Sequence, residues 1–583
     1  CRTCRIRKVK CDEERIPSQA HEEPQCKRCL AARILCEWKG APIPRRPTRT
    51  STDISSKRST RDEASTANSS RSARKRPQII SYPQQSLSTQ NQLCVQGRSI
   101  QAANSLSLSE FDRECLSYIQ DSILVVLVGK QWPWSTVSYA YHRIATKEPM
   151  VMSVMLASAA REIHRSKLYD MENPLGHLPS SERSDMDGRV HYGRALSSLR
   201  EALKEEVKTP QQIESIFITL WLMIDYENRF GSGASAINIH IRGLRHFSIT
   251  TLSLCFTAIT HSQLPLQQPD PHMNLSALGE YASSTDSATP ARPSGSIIDG
   301  LGGTSVPLFL LWTLYFFTPA VLFFGSGAAN LDTDIFRFFL RPETGNTALS
   351  LPALYRLSRQ SPSRFWGDGY PISSQLDDLE NLPGLTLYHR SHVLQFKITE
   401  LFKHSSGPDI SSGEGSPYHR ITKEINTLSI EYDTLLTSAK MSASCDLAGD
   451  RRVMETIFWS AITYYGTIVY FHLCIESLLA GRPEFQSYNN IILPVTTAVS
   501  LVLELSLKLH RSRPRLLVRI TWSLFIAGIA TSDRIYQDWV SIRLRELGRY
   551  GQNYERISAR FDEISQGGHS YFHDGRGHYF LGA

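Results

Sequence analysis

Six cysteines fall within the first 36 residues. They read CRTCRIRKVKC and then, after the 14 residues Asp12 to Gln25, CKRCLAARILC, so one C-x2-C-x6-C half-site occurs twice with identical intervals. A disulfide framework is another use of six cysteines, but two tight C-x2-C pairs in one short basic segment suit thiolates converging on zinc better than crossed bridges. Two tetrahedral zinc ions need eight ligand positions, and six thiolates fill them most simply by sharing two sulfurs between the metals. The spacing predicts a binuclear cluster.

The residues between the cysteines say what the cluster is for. A helix through residues 4–10 carries Arg5, Arg7, Lys8 and Lys10, with Ile6 and Val9 as its whole hydrophobic content. Such a helix cannot fold on a core, so zinc supplies the folding energy, roughly 10–16 kcal/mol for small structural sites. The cations are then left for phosphates and base edges. Charge along the chain agrees: Lys and Arg outnumber Asp and Glu by nine to five in residues 1–36 and by twelve to five in 37–110, although the whole chain is only +8. The nucleic-acid signal sits in the N-terminal fifth, and the rest is slightly acidic.

This pattern resembles the fungal binuclear zinc cluster (Zn2Cys6) transcription regulators. The resemblance implies that Cys1 and Cys26 bridge both metals, that Cys4 and Cys11 complete one site, and that Cys29 and Cys36 complete the other. It implies a short helix starting at each triad, two zinc ions per cluster, and a lysine at the place of Lys8 meeting the guanines of a CGG triplet in the major groove. Arg7 takes the neighbouring position, and Arg5 and Lys10 share the basic helix. Pro24 matches a proline that shapes the loop between the halves, and Asp12 and Leu30 extend the match. The insert from Asp12 to Gln25 is longer than is usual in that family and holds five acidic residues, so it is expected to be a surface loop. The sequence opens at Cys1 without a methionine, and a record shortened at its start is the expectation.

The elements that must position this cluster come next. Residues 39–106 are rich in Ser, Thr, Gln, Pro and Arg and cannot bury enough apolar surface to fold alone, which predicts a disordered basic linker. Arg74, Lys75 and Arg76 form its densest basic run and are the candidate nuclear-import signal. No a/d heptad pattern is present, and Pro42, Pro44, Pro47 and Pro77 interrupt any coiled coil.

From residue 107 to 583 the pattern is helical. Thr209-Pro210-Gln211-Gln212 is a capping box with proline at the first helical position. Behind it Ile213, Ile216, Phe217, Leu220, Trp221 and Ile224 repeat at the spacing of one buried face. Further helices are expected near 107–128, 149–169, 187–206, 234–260, 383–404, 418–440, 452–481, 487–510 and 515–547. The window 306–325 is apolar enough to span a bilayer. Pro307, Pro319 and the missing flanking cations favour a buried helix pair that breaks near Pro319.

The helical part also resembles the fungal-specific transcription factor domain of the type with a WPLFIAG-like motif. Trp522 to Gly528 reads WSLFIAG, with Ser523 where proline is usual, and Trp539 follows. His240-Ile241-Arg242-Gly243 matches an H-x-x-G segment, with His240 expected to be a satisfied core or interface histidine. Metalloprotease, phosphate-loop and nucleophile-elbow motifs are absent, Gly575-Arg576-Gly577 lacks the rest of a dinucleotide turn, and no enzyme is expected. Cysteines 94, 115, 255, 445 and 474 are odd in number and scattered, which argues against a secreted disulfide scaffold.

The expected architecture is therefore a small zinc-nucleated module of two short helices at 1–38, a disordered linker at 39–106, and a large all-α regulatory domain at 107–583. The expected function is a nuclear regulator of RNA polymerase II genes. Its expected partners are double-stranded DNA carrying CGG or CCG triplets, the transcription machinery, and a second copy bound through the helical domain; no membrane is expected. Two alternatives are a nuclear regulator that has lost DNA binding and a membrane-associated helical protein anchored by 306–325.

Overall fold

Apolar side chains at helical spacing, rather than any alternating pattern, organise most of this protein. The computed structural model describes residues 16–18, 21–27, 108–170, 179–205, 208–231, 233–261, 303–315, 351–404, 416–444, 452–479 and 492–566. The chain divides into two compact units, 1–84 and 85–583.

In the first unit the described residues form strands β1 (Ile16–Ser18) and β2 (His21–Gln25). They pair antiparallel, with Ile16 opposite Gln25 and Ser18 opposite His21. The insert expected to be a surface loop thus carries a hairpin. Its acidic side chains hid the strands from a reading based on apolar alternation, because a two-stranded ribbon has no buried face that demands it.

The second unit is helical throughout its described residues. It begins with α1 (Glu110–Tyr118), α2 (Ile123–Val128) and α3 (Thr136–Tyr139), and α3 runs on into a π-helical stretch, Ala140–Ala145. Ser109 and Asp112 close a capping box on α1. The helices α4 (Pro149–Asp170), α5 (Pro179–Lys204), α6 (Pro210–Phe230) and α7 (Ala234–His261) follow. The Thr209–Gln212 capping box is present with Pro210 at the first position, and all six residues of the expected α6 face are buried.

Next come α8 (Val306–Tyr315), α9 (Leu351–Trp366), α10 (Ile372–His404), α11 (Pro417–Glu431) and α12 (Asp433–Met441). The chain continues through α13 (Val453–Leu479), α14 (Val495–Ser512), 3-10 turns at Pro514–Ile520, α15 (Thr521–Ala530), α16 (Arg534–Glu546) and α17 (Gln552–Gln566). One hydrophobic core runs from Cys115 to Phe561. The helix α13 is central to its C-terminal half and packs against α10, α14 and α15, while α6 packs on α4, α7, α8 and α17.

Several expected helices are divided. The 107–128 span breaks at Ser122, 418–440 breaks at Tyr432, and 515–547 resolves into 3-10 turns, α15 and α16. Apolar periodicity persisted across these breaks because both pieces bury against one core. Helix α10 starts before Pro383 instead of at it, and α9 and α17 were not foreseen. Helix α8 occupies the first half of the 306–325 window and is buried except at a partly exposed Trp312. Among the described residues no helix is long and apolar enough to cross a membrane; the expected break at Pro319 lies outside them.

Candidate functional site

Of the cluster residues, two are described. Pro24 stands in β2; a proline can stand there because each strand of a two-stranded ribbon has a free edge that needs no N–H donor. Cys26 follows β2 directly and is fully buried, and the next residue, Lys27, is exposed and already helical in backbone. Cys1, Cys4, Cys11, Cys29 and Cys36, the basic residues Arg5, Arg7, Lys8 and Lys10, and Arg74, Lys75 and Arg76 lie outside the described residues.

In the helical unit the polar groups that organise the core were not foreseen. Arg229 on α6 is completely buried. Its Nε donates to Asp225 Oδ2 at 2.8 Å, one turn earlier, and its Nη1 donates to Glu162 Oε2 on α4 at 3.1 Å. The other oxygen of Glu162 accepts from the Tyr118 hydroxyl and the Ile123 N–H, both at 2.8 Å. A weaker bond at 3.4 Å joins Arg229 to the carbonyl of Tyr550. Three segments therefore meet at one guanidinium, and two more are tied to it through Glu162. The signal in the sequence was an acid and an arginine at i and i+4 on an otherwise apolar helix.

A second polar knot lies on the surface side. Lys130 donates to Asp378 at 2.6 Å and to the carbonyl of Ser374 at 2.8 Å, while Arg452 pairs with Asp377. It clamps the segment after α2 to the start of α10.

The expected H-x-x-G histidine is a core residue. His240 is buried, and its Nε2 lies 2.9 Å from the Tyr192 hydroxyl. Burial pulls its pKa down to about 4, so the ring is neutral at pH 7. The W-S-L-F-I-A-G run forms the body of α15, buried from Thr521 to Ile529. Its glycine has a packing reason: a β-carbon on Gly528 would sit 2.7 Å from the Phe561 ring and 2.9 Å from Val540. Ser523 faces Gly466 of α13, whose own missing β-carbon would lie 2.7 Å from Ser523 Cβ.

Just before α15 stands Arg519, the one cation in the run LLVRI. Its guanidinium carbon lies 3.9 Å from the Trp459 ring centre, 5.3 Å from that of Trp312 and 5.9 Å from that of Tyr388. The same residue lines a cavity of about 110 Å³ walled by α6, α8, α10, α15 and α17. No local pattern in the sequence marks Arg519, because the rings around it come from distant helices.

With this geometry in hand, the comparisons with known proteins are informative over part of the chain. Residues 397–563 match the family described as the fungal specific transcription factor domain. The match runs from the C-terminal part of α10 into α17 and takes in W-S-L-F-I-A-G, Arg519 and Trp539. His240 and the cysteine half-sites lie outside it. No curated protein and no solved structure matches the chain.

Proposed function

We propose that this protein is a nuclear, sequence-specific DNA-binding transcription regulator with two working parts. A binuclear zinc cluster built on Cys1, Cys4, Cys11, Cys26, Cys29 and Cys36 reads a CGG-type triplet through Lys8 and Arg7, with Arg5 and Lys10 adding phosphate contacts. The helical unit is the regulatory part, non-enzymatic, and offers the surface for a second copy and for the transcription machinery. Arg74, Lys75 and Arg76 direct import.

The single observation that carries this reading is the union, in one chain, of the repeated C-x2-C-x6-C half-site with a fungal specific transcription factor domain at 397–563. Either alone is weaker: cysteine pairs also build purely structural zinc sites, and a helical domain by itself names no ligand. When bound, the two zinc ions fold the basic helix and fix its register; the protein's own cations then make the DNA contacts.

The test is selection of binding sites by the full chain from a randomised duplex library, with metal content measured on the same preparation. Enrichment of CGG-containing sequences with two zinc ions per chain is expected. No enrichment at any salt, with zinc present, would favour the alternative in which DNA binding has been lost; one zinc per chain would overturn the shared-sulfur cluster.

A further inference from the structure

The start of α6, the end of α9 and the π-helical stretch after α3 enclose an open cavity of about 440 Å³. Its apolar wall is a cluster of rings. Tyr139 lies 4.1 Å from Phe365 and 5.4 Å from Trp366 between ring centres, and Ile144 lines the same wall. Three cations line the cavity as well: Arg143 and Lys147, four residues apart, and Arg364 on α9. All three residues are exposed, so a ligand in the cavity can meet their charges without any rearrangement of the core. Among the described residues no carboxylate forms an ion pair with the side chain of Arg143 or Lys147. Arg364 Nη2 donates to the neutral side chain of Gln360 at 3.0 Å.

Two acids also line the cavity, and both are weak counter-ions. Glu214 is buried, and its carboxylate accepts from the N–H and the hydroxyl of Ser305 at 2.7 and 2.6 Å and from the Tyr139 hydroxyl at 3.4 Å. Burial pushes its pKa up. Burial and Glu205 push Glu148 up too, against the pull of Lys147. The wall therefore joins an excess of positive charge to an aromatic floor. Ligand cavities are commonly built this way, with apolar and aromatic side chains around a body and a few charged groups to orient it. The π-helical stretch points the same way, because such wide turns are kept mostly at functional sites, and this one contains Arg143. An arginine fork pairs with two oxygens of a carboxylate or phosphate at once. Three cations against two weakened acids favour two negative charges over one.

We propose that this cavity binds a small organic dianion with one flat apolar body, a phosphate monoester or a dicarboxylate, its charges on Arg143, Arg364 and Lys147 and its body on Tyr139, Phe365 and Trp366. The cavity lies wholly outside residues 397–563, the stretch that matches a known domain. Binding belongs to the helical unit and needs neither zinc nor DNA, so its failure and the failure of the DNA-binding reading are separate results.

The test is titration calorimetry on the full chain at constant ionic strength, with phenyl phosphate, isophthalate, benzoate and inorganic phosphate as probes. Phenyl phosphate or isophthalate should bind saturably at one site per chain, and the tighter of the two tells a phosphate ligand from a dicarboxylate. Benzoate, with a single charge, and inorganic phosphate, with no ring, should both be several-fold weaker. Arg143→Ala and Arg364→Ala should each weaken the tighter probe about threefold or more, the scale of an exposed ion pair. Phe365→Leu, which leaves every charge in place, should weaken it as well. Lys423→Ala removes an exposed cation of α11 outside the cavity lining and should change nothing. Absence of binding by both phenyl phosphate and isophthalate up to about 10 mM would overturn the proposal. So would inorganic phosphate binding as tightly as phenyl phosphate, full affinity in both the Arg143→Ala and Arg364→Ala proteins, or an equal loss with Lys423→Ala, which would leave only diffuse surface charge.

Discussion

Arg229 shows how much of this protein rests on single side chains. It is a buried cation bonded to two buried carboxylates, and removing one member of such a group strands the others. Replacing a partner of a buried pair typically costs about 3–5 kcal/mol. Arg229→Met should therefore lower the free energy of unfolding by about that amount in urea titrations; a loss under 1 kcal/mol would mean that Glu162 and Asp225 find other partners or take up protons cheaply. On the proposed DNA-binding reading, Lys8 and Arg74 should separate specificity from positive charge. A bidentate contact to guanine discriminates by about 1–3 kcal/mol, so Lys8→Ala should flatten the preference for CGG over its mismatches. Arg74→Ala should weaken every sequence about equally and lower the salt slope by about one unit if it touches phosphate. Equal effects of the two substitutions on a matched and a mismatched duplex would reject this division of roles.

At the scale of elements, α13 and α15 approach so closely that Gly466 meets Ser523 with no room for a methyl group. Alanine is favoured over glycine in a helix by about 1 kcal/mol, while overpacking a filled interface costs about 1–3 kcal/mol. The nearest atoms to the added carbon include Ser523 Cβ at 2.7 Å and its backbone Cα at 3.2 Å, which cannot swing away. The packing cost should win, and Gly466→Ala should destabilise. Adding Ser523→Gly should restore most of the loss, and a double-mutant cycle with no coupling would show that the two helices simply move apart.

For the whole molecule, the proposed zinc cluster and the buried histidines give separate predictions. A strong chelator should abolish DNA binding and leave the far-ultraviolet helical signal almost intact, because the core from Cys115 to Phe561 is built from apolar packing. Loss of the helical signal with chelator would show that the helical unit also needs metal. Acid acts on the buried histidines. Burial holds His240 near 4, and His389 and His392 near 3, all below the ordinary 6.5. A histidine whose folded pKa is depressed contributes its full share above about pH 6.5 and loses it as pH falls toward the folded value, at up to about 1.4 kcal/mol per pH unit. His240→Gln, which keeps a polar group within reach of Tyr192, should reduce the slope of stability against pH between 6.5 and 4. An identical slope would mean that His240 takes up its proton at its ordinary pKa in the folded state.

What could be read from the sequence was whatever depends on local order along the chain. Cysteine intervals nominate a metal without reference to any other segment, a Thr-Pro-Gln-Gln box caps its own helix, and the apolar face of α6 is visible because its period is that of the helix itself. The hairpin at 16–25 was missed because polar strands in a ribbon carry no pattern, and the division of long helical spans was missed because two helices on one core share a single periodicity. Arg229 and Arg519 were illegible for a deeper reason. A charged residue is buried or exposed according to partners far away in sequence, and neither the Glu162 carboxylate nor the rings of Trp312 and Trp459 can be assigned to those arginines until the helices have packed. Local chemistry pointed to the class of the chain, and only tertiary packing decided that its core would hold Arg229 between two carboxylates.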